Sequence, residues 1–211
     1  MKKGLLFALA MVLAICVGIG GTLAYLFVET QQVINTFEYG DIDISLEETG
    51  TTPTVDGNDT KTYKMIPGNT LPKDPKVTVL KDSEACWLFV KVEESANFDE
   101  FMTYAIADGW TLYNTDATGS GIDTATQEAY VIYRAVTAED AKNGIGYNII
   151  AGDTSNPNGI VTVKTTVTKQ MMNSLNANGA NNYPTLKFTA YAVQSANLTL
   201  EQAYGVAFPT T

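Results

Sequence analysis

The chain has 211 residues, enough for one domain with a sizeable core, and a formal net charge of −10. That acidity disfavours nucleic acid and anionic lipid as partners and keeps an exported protein soluble. Histidine is absent, which removes Ser-His-Asp and Cys-His catalysis, HExxH zinc sites and most imidazole metal sites at once.

Lys2 and Lys3 form a short positive segment, and Leu5 to Ile19 is an apolar run. Gly20-Gly21-Thr22-Leu23-Ala24 then places small residues at Thr22 and Ala24, the −3 and −1 positions for a cut between Ala24 and Tyr25. Signal peptidases have shallow pockets that demand small side chains there. Residues 1–24 are expected to be a cleavable signal helix, with the membrane touched only in transit. The competing expectation is a retained span from Leu5 to Val28, long enough for a bilayer at about 1.5 Å per residue. No basic cluster follows that run, and Glu29 does, which favours cleavage. Cys16 follows Ile15 rather than a small residue, against a lipoprotein leader. The ending AYGVAFPTT carries no apolar tail or sorting motif, so no tether is expected there.

Tyr25 to Phe37 is an apolar segment with no evident employment in a sheet, with Leu26, Val28, Val33 and Phe37 as apolar pegs. From position 41 onward, period-2 alternation dominates. Ile42, Ile44 and Leu46 face one way and Asp41, Asp43, Ser45 and Glu47 the other. Val77 and Val79 begin a second strand. Cys86, Leu88, Val90 and Val92 line one face of a third, and its mixed second face (Trp87, Phe89, Lys91, Glu93) predicts partial cover. Cys86 is expected to be a small buried hydrophobe. Trp110 and Leu112, the stretch 129–135, Val161 with Val163, and Leu186 to Ala192 continue the pattern.

Turn clusters rich in Gly, Asn, Asp and Pro separate these runs at 48–60, 114–121, 143–148, 152–159 and 176–184. Short strands with frequent turns predict an all-β domain of two packed sheets over residues 41–211. Three short helices are predicted: 137–144 capped by Thr137 and stopped by Gly144, 168–175 capped by Thr168, and 199–206 opened by Thr199 with Gln202.

Three groups of residues invite chemistry. Asp56 to Thr60 (DGNDT) is oxygen-rich but lacks the spacing and distal Glu of a calcium loop, so a polar hairpin turn is expected. Asp41, Asp43, Glu47 and Glu48 form an acidic stripe of the kind found on solvent faces of strands, although paired carboxylates also serve glycoside hydrolysis. Tyr104, Trp110, Tyr113, Tyr130 and Tyr133 could stack on sugars, but core and cross-strand pairing is the simpler role. Asn58-Asp59-Thr60 and Asn197-Leu198-Thr199 fit the glycosylation pattern. No constellation of nucleophile, base and metal ligand emerges. The chain reads as a non-enzyme without cofactor.

The leader ending GGTLAY, followed by NTFEYGDIDISL (Asn35 to Leu46), resembles the TasA/camelysin family of Gram-positive bacteria. Asn35, Thr36, Phe37 and Gly40 match its N-T-F-x-x-G motif, and Ile42-Asp43-Ile44 stands where the family has Leu-Asp-Leu. MIPGNTLPKDPKVTV (65–79) and YPTLKFTAYAVQ (183–194) are similar to further family stretches. The resemblance implies a jelly-roll β-sandwich, export through a dedicated signal peptidase, and a subunit of extracellular biofilm-matrix fibres. It further implies that residues 25–40 act as a donor strand, completing the sheet of the next copy or of another matrix subunit. Camelysin members are described as metallopeptidases, an activity the missing histidines oppose here. The rival from the residues themselves is a cell-surface carbohydrate-binding or adhesion module.

Overall fold

A computed structural model describes residues 40–53, 59–113, 129–177 and 182–209. Ala24, Tyr25, Leu26, Val28, Val33, Asn35, Thr36 and Phe37, and with them the signal helix, cleavage site and donor segment, lie outside the described residues. So do residues 114–128 and most of the DGNDT turn.

The described body, Gly40–Thr211 as a compact unit, is all-β with a few short helices, and every strand pairing is antiparallel. The first sheet orders β1 (Ile44–Glu47), β5 (Lys76–Val79) and β10 (Ile145–Asn148). The second orders β12 (Leu186–Gln194), β6 (Cys86–Glu94), β9 (Ala129–Val136) and β8 (Thr111–Leu112). A third, smaller sheet orders β4 (Thr70–Pro72), β11 (Ile160–Val163) and β7 (Met102–Thr103). A two-residue ladder pairs β2 (Thr52–Pro53) with β3 (Asp59–Thr60), the last two residues of DGNDT.

Alternation explains the core. Cys86, Leu88, Val90 and Val92 on β6 are fully buried against Val77 and Val79 on β5, with Tyr130, Ile132 and Val136 from β9 beside them. One face of each sheet thus supplies a shared cluster, and each fully buried Val or Leu contributes about 1.5–3 kcal/mol. Cys86 is the small buried hydrophobe the sequence predicts; burial pushes its thiol up to about 11. A second cluster under the small sheet gathers Phe98, Phe101, Met102, Ile150, Val161, Val163, Val167 and Leu175.

The helices are α1 (Phe98–Phe101), α2 (Ala138–Asn143), α3 (Lys169–Ser174) and α4 (Leu200–Ala207). Thr137, Thr168 and Thr199 each accept a backbone N–H of their helix, and Thr199 with Gln202 closes a full capping box. Gly144 ends α2 at φ 79, where an added Cβ would lie 3.1 Å from the Lys81 backbone nitrogen. Helix α4 provides the cover expected over the second face of β6. Tyr204 and Phe208 pack edge-on to Phe89, and Tyr204 stacks on Tyr113 at 3.8 Å. Trp87 on the same face meets Tyr133 edge-on at 6.2 Å, and the far end of the face is polar, with Glu93 between Lys91 and Lys187.

Two expectations need correction. The stretch 143–148, read as a turn cluster, contains β10. Ile145 and Tyr147 alternate toward the core while Gly146 faces Lys76, so Gly146 sits in a strand rather than a turn, and Gly144 caps α2 just before it. Glu48 does not belong to an acidic solvent stripe. It is tucked in, accepting from Tyr63 and Lys73, whereas Asp41, Asp43 and Glu47 are exposed.

Candidate functional site

The two facing sheets end differently on their two flanks. On one flank lie the edge strands β8 and β10. Trp110, just before β8, meets Tyr147 of β10 edge-on at 6.4 Å and donates its indole N–H to the Asn148 carbonyl at 2.8 Å. Arg134 sits between them, its guanidinium carbon 3.5 Å from the Tyr147 ring centroid and 5.4 Å from that of Trp110. Its register opposite Leu88 places it on the core-facing side of β9, and its buried Nε takes no hydrogen-bond partner among the described residues. Burial holds this guanidinium below its ordinary range. Two large rings and a stacked cation seal this flank.

On the other flank lie β1 and β12, which approach each other across the core. Among the described residues each is hydrogen-bonded to a neighbouring strand on one side only. Their core-facing side chains are Ile42, Ile44 and Leu46 above and Leu186, Phe188, Ala190 and Ala192 below, and all are only half-buried. The corresponding β6 side chains have zero exposure. One end of this flank has a roof. Lys73 lies 5.4 Å over the Phe188 ring and 2.7 Å from Glu48, whose other oxygen accepts from the Tyr63 hydroxyl at 2.5 Å. Burial and Glu48 drive the Tyr63 hydroxyl far above its usual range. Past Phe188 the floor consists of two alanine methyls.

Gly40, the first described residue, lies at the end of this flank. An added Cβ there would fall 2.7 Å from Glu84 Cγ. The backbone ties Glu84 to Asp41 and Ala85 to Ser195, just beyond the end of β12. The chain therefore enters the described body beside the terminus of the open edge.

A second feature is a polar cleft of about 460 Å³ at the far ends of β6 and β9, lined by Glu94, Asp99, Thr103, Tyr104, Tyr130 and Lys164, with Ala105 and Ile106. Tyr104 donates to Glu94 Oε1 at 2.5 Å, and its oxygen is 2.5 Å from that of Tyr130. A phenol has one proton, so while Tyr104 donates to Glu94 the second hydrogen bond is donated by Tyr130. Burial, with Asp99 adding to it against the Tyr104 hydrogen bond, holds the Glu94 carboxyl above its usual range. Burial also pushes Tyr130 up to about 12 and Tyr104 well beyond that.

Of the five candidate sugar-stacking aromatics, the structure brings only Tyr104 and Tyr130 together at a cleft. Tyr113 and Tyr133 belong to the aromatic cluster under α4, and Trp110 belongs to the sealed flank. Glu94, Asp99 and Lys164 carry no motif and were not distinguishable in the sequence. Among the described residues no group of three or more Cys, Asp or Glu is placed to hold a metal, and no helix is long and apolar enough to cross a membrane. No protein-family model matches the chain, and neither a curated protein nor a solved structure matches it.

Proposed function

We propose that this chain is an exported structural protein, a TasA-like subunit of an extracellular fibre, whose jelly-roll β-sandwich accepts a strand from a neighbour. In this reading a dedicated signal peptidase cuts between Ala24 and Tyr25 and frees the apolar segment that carries Leu26, Val28, Val33 and Phe37. That segment lies along the sheet edge of the next copy, or of another matrix subunit, at the surface of a Gram-positive cell. Donated main-chain hydrogen bonds supply affinity and alternate apolar side chains fill the groove. Head-to-tail donation does not close on itself, so it produces filaments.

The observation that supports this reading is the flank between β1 and β12. It combines a nine-residue edge strand with half-covered core side chains and an alanine floor. Soluble proteins ordinarily blunt a long apolar edge, and an incoming strand is the occupant that would cover both. The test is negative-stain microscopy of residues 25–211 beside residues 38–211. Filaments from the first and dispersed particles from the second are expected. Two monomeric samples at high concentration would sink the reading.

A further inference from the structure

We propose that the cleft between Glu94, Asp99, Thr103, Tyr130 and Lys164 is a binding site for a neutral saccharide, a role independent of strand donation. Its hydrogen-bonding capacity is largely unspent. Tyr104 occupies Glu94 Oε1, while Glu94 Oε2, the Asp99 carboxylate and the Thr103 hydroxyl take no partner among the described residues. Lys164 spends one proton on the Asp99 carbonyl and keeps two. The cleft therefore offers acceptors from two carboxylates and donors from an ammonium, with Ala105 and Ile106 as apolar lining beside them. Few convergent polar groups over an apolar base is the pattern of small-ligand sites.

Charge narrows the ligand class. The ammonium of Lys164 opposes a bare cation, and Glu94 with Asp99 opposes an anion. Vicinal hydroxyls satisfy both sets, donating to carboxylates and accepting from the ammonium and from Thr103. The volume admits one or two sugar rings.

The Glu48–Tyr63–Lys73 cluster shows what a purely structural version looks like. There the same short Tyr–Glu hydrogen bond is present, but a lysine 2.7 Å away takes the second carboxylate oxygen, and each of the two charged side chains is less than a sixth exposed. Both carboxylate oxygens of Glu48 are thus taken, by the tyrosine and by the lysine. At Glu94 the lysine is diverted to a backbone carbonyl, and the second carboxylate oxygen takes no partner among the described residues.

The experiment uses the full chain, solubilised in a detergent without a sugar headgroup and labelled with ring-¹³C tyrosine. Tyr104→Phe and Tyr130→Phe assign the two ring signals. Chitotriose, cellotriose and maltotriose are titrated separately, with calcium chloride and spermidine as the charged alternatives. The expected result is a saturable shift of the Tyr104 and Tyr130 signals with at least one trisaccharide. Both Glu94→Gln and the exposed-site variant Thr103→Val should weaken it by about tenfold, because a site built on hydrogen bonds loses affinity when a partner is removed. The proposal is overturned if no sugar moves those signals, if neither variant changes the affinity, or if calcium or spermidine moves them and the sugars do not.

Discussion

The two flanks of the facing sheets are built from the same alternating strands but finished in opposite ways. Between β8 and β10, Trp110, Tyr147 and Arg134 interlock over the core edge. Between β1 and β12, the core side chains stop at half burial over Ala190 and Ala192. The difference teaches that exposure here is local, not a general looseness of packing. The strand next to the open edge, β6, is among the most completely buried segments of the body. A fold able to seal one flank with aromatic rings leaves the other low and smooth.

Changes at the two flanks and at the cleft would break or sharpen that contrast. The largest effect is expected at the roofed end of the open flank. Glu48→Ala strands the Lys73 ammonium in a place where both side chains are nearly covered, and should cost about 3–5 kcal/mol in urea unfolding. Lys73→Met with Glu48→Gln should recover much of that loss.

Next comes the sealed flank. Trp110→Ala removes a half-buried ring, its hydrogen bond to Asn148 and its contact with Arg134. A loss of about 2–3 kcal/mol is expected in the same assay. Leu46→Ala on the open flank should cost only about 1–2 kcal/mol, since its side chain is only partly buried. Equal losses at the two positions would mean that the open flank is packed after all.

Filling the alanine floor should separate stability from assembly. Ala190→Leu with Ala192→Leu should change the stability of the body by less than about 1 kcal/mol, because both positions are only partly buried. The same pair should abolish filaments by occupying the groove. Filaments of normal length from this variant would place strand acceptance elsewhere.

The smallest effect concerns Glu94. Its carboxyl lies above the ordinary glutamate value of 4.5 in the folded protein, so the folded state holds that proton more tightly than the unfolded chain does. Stability contributed by this group is present at and below the ordinary value and is lost as pH rises through the raised one. Glu94→Gln should flatten that part of the stability profile, measured as urea midpoints at closely spaced mildly acidic pH. An unchanged profile would contradict the burial assigned to the carboxyl.

Much of this fold was legible in the residues. The long strands β6, β9 and β12 announce themselves by alternation, and the three threonine caps mark α2, α3 and α4. What failed did so for physical reasons. Around β10 the helix-capping Gly144 and the strand's own Gly146 outweighed the alternating Ile145 and Tyr147, although a strand glycine is tolerated where a neighbour such as Lys76 lies over it. Strand β4 ends in Pro72, a residue that argues against strands except at edges, which is where it lies. The open flank could not be read in advance. Ala190 and Ala192 fit any half-buried strand, and only the strand order shows that β12 is an edge. The cleft was more hidden still, since Glu94 and Lys164 are far apart in the chain and neither sits in a motif.

The central claim is that the flank between β1 and β12 takes an apolar strand from outside the body. It is met most directly by adding a synthetic peptide of residues 25–39 to ¹⁵N-labelled body residues 40–211. Saturable shifts confined to the amides of β1 and β12, with β8 and β10 unmoved, are predicted. No binding at millimolar peptide, or shifts centred on the Trp110 flank, would contradict the account.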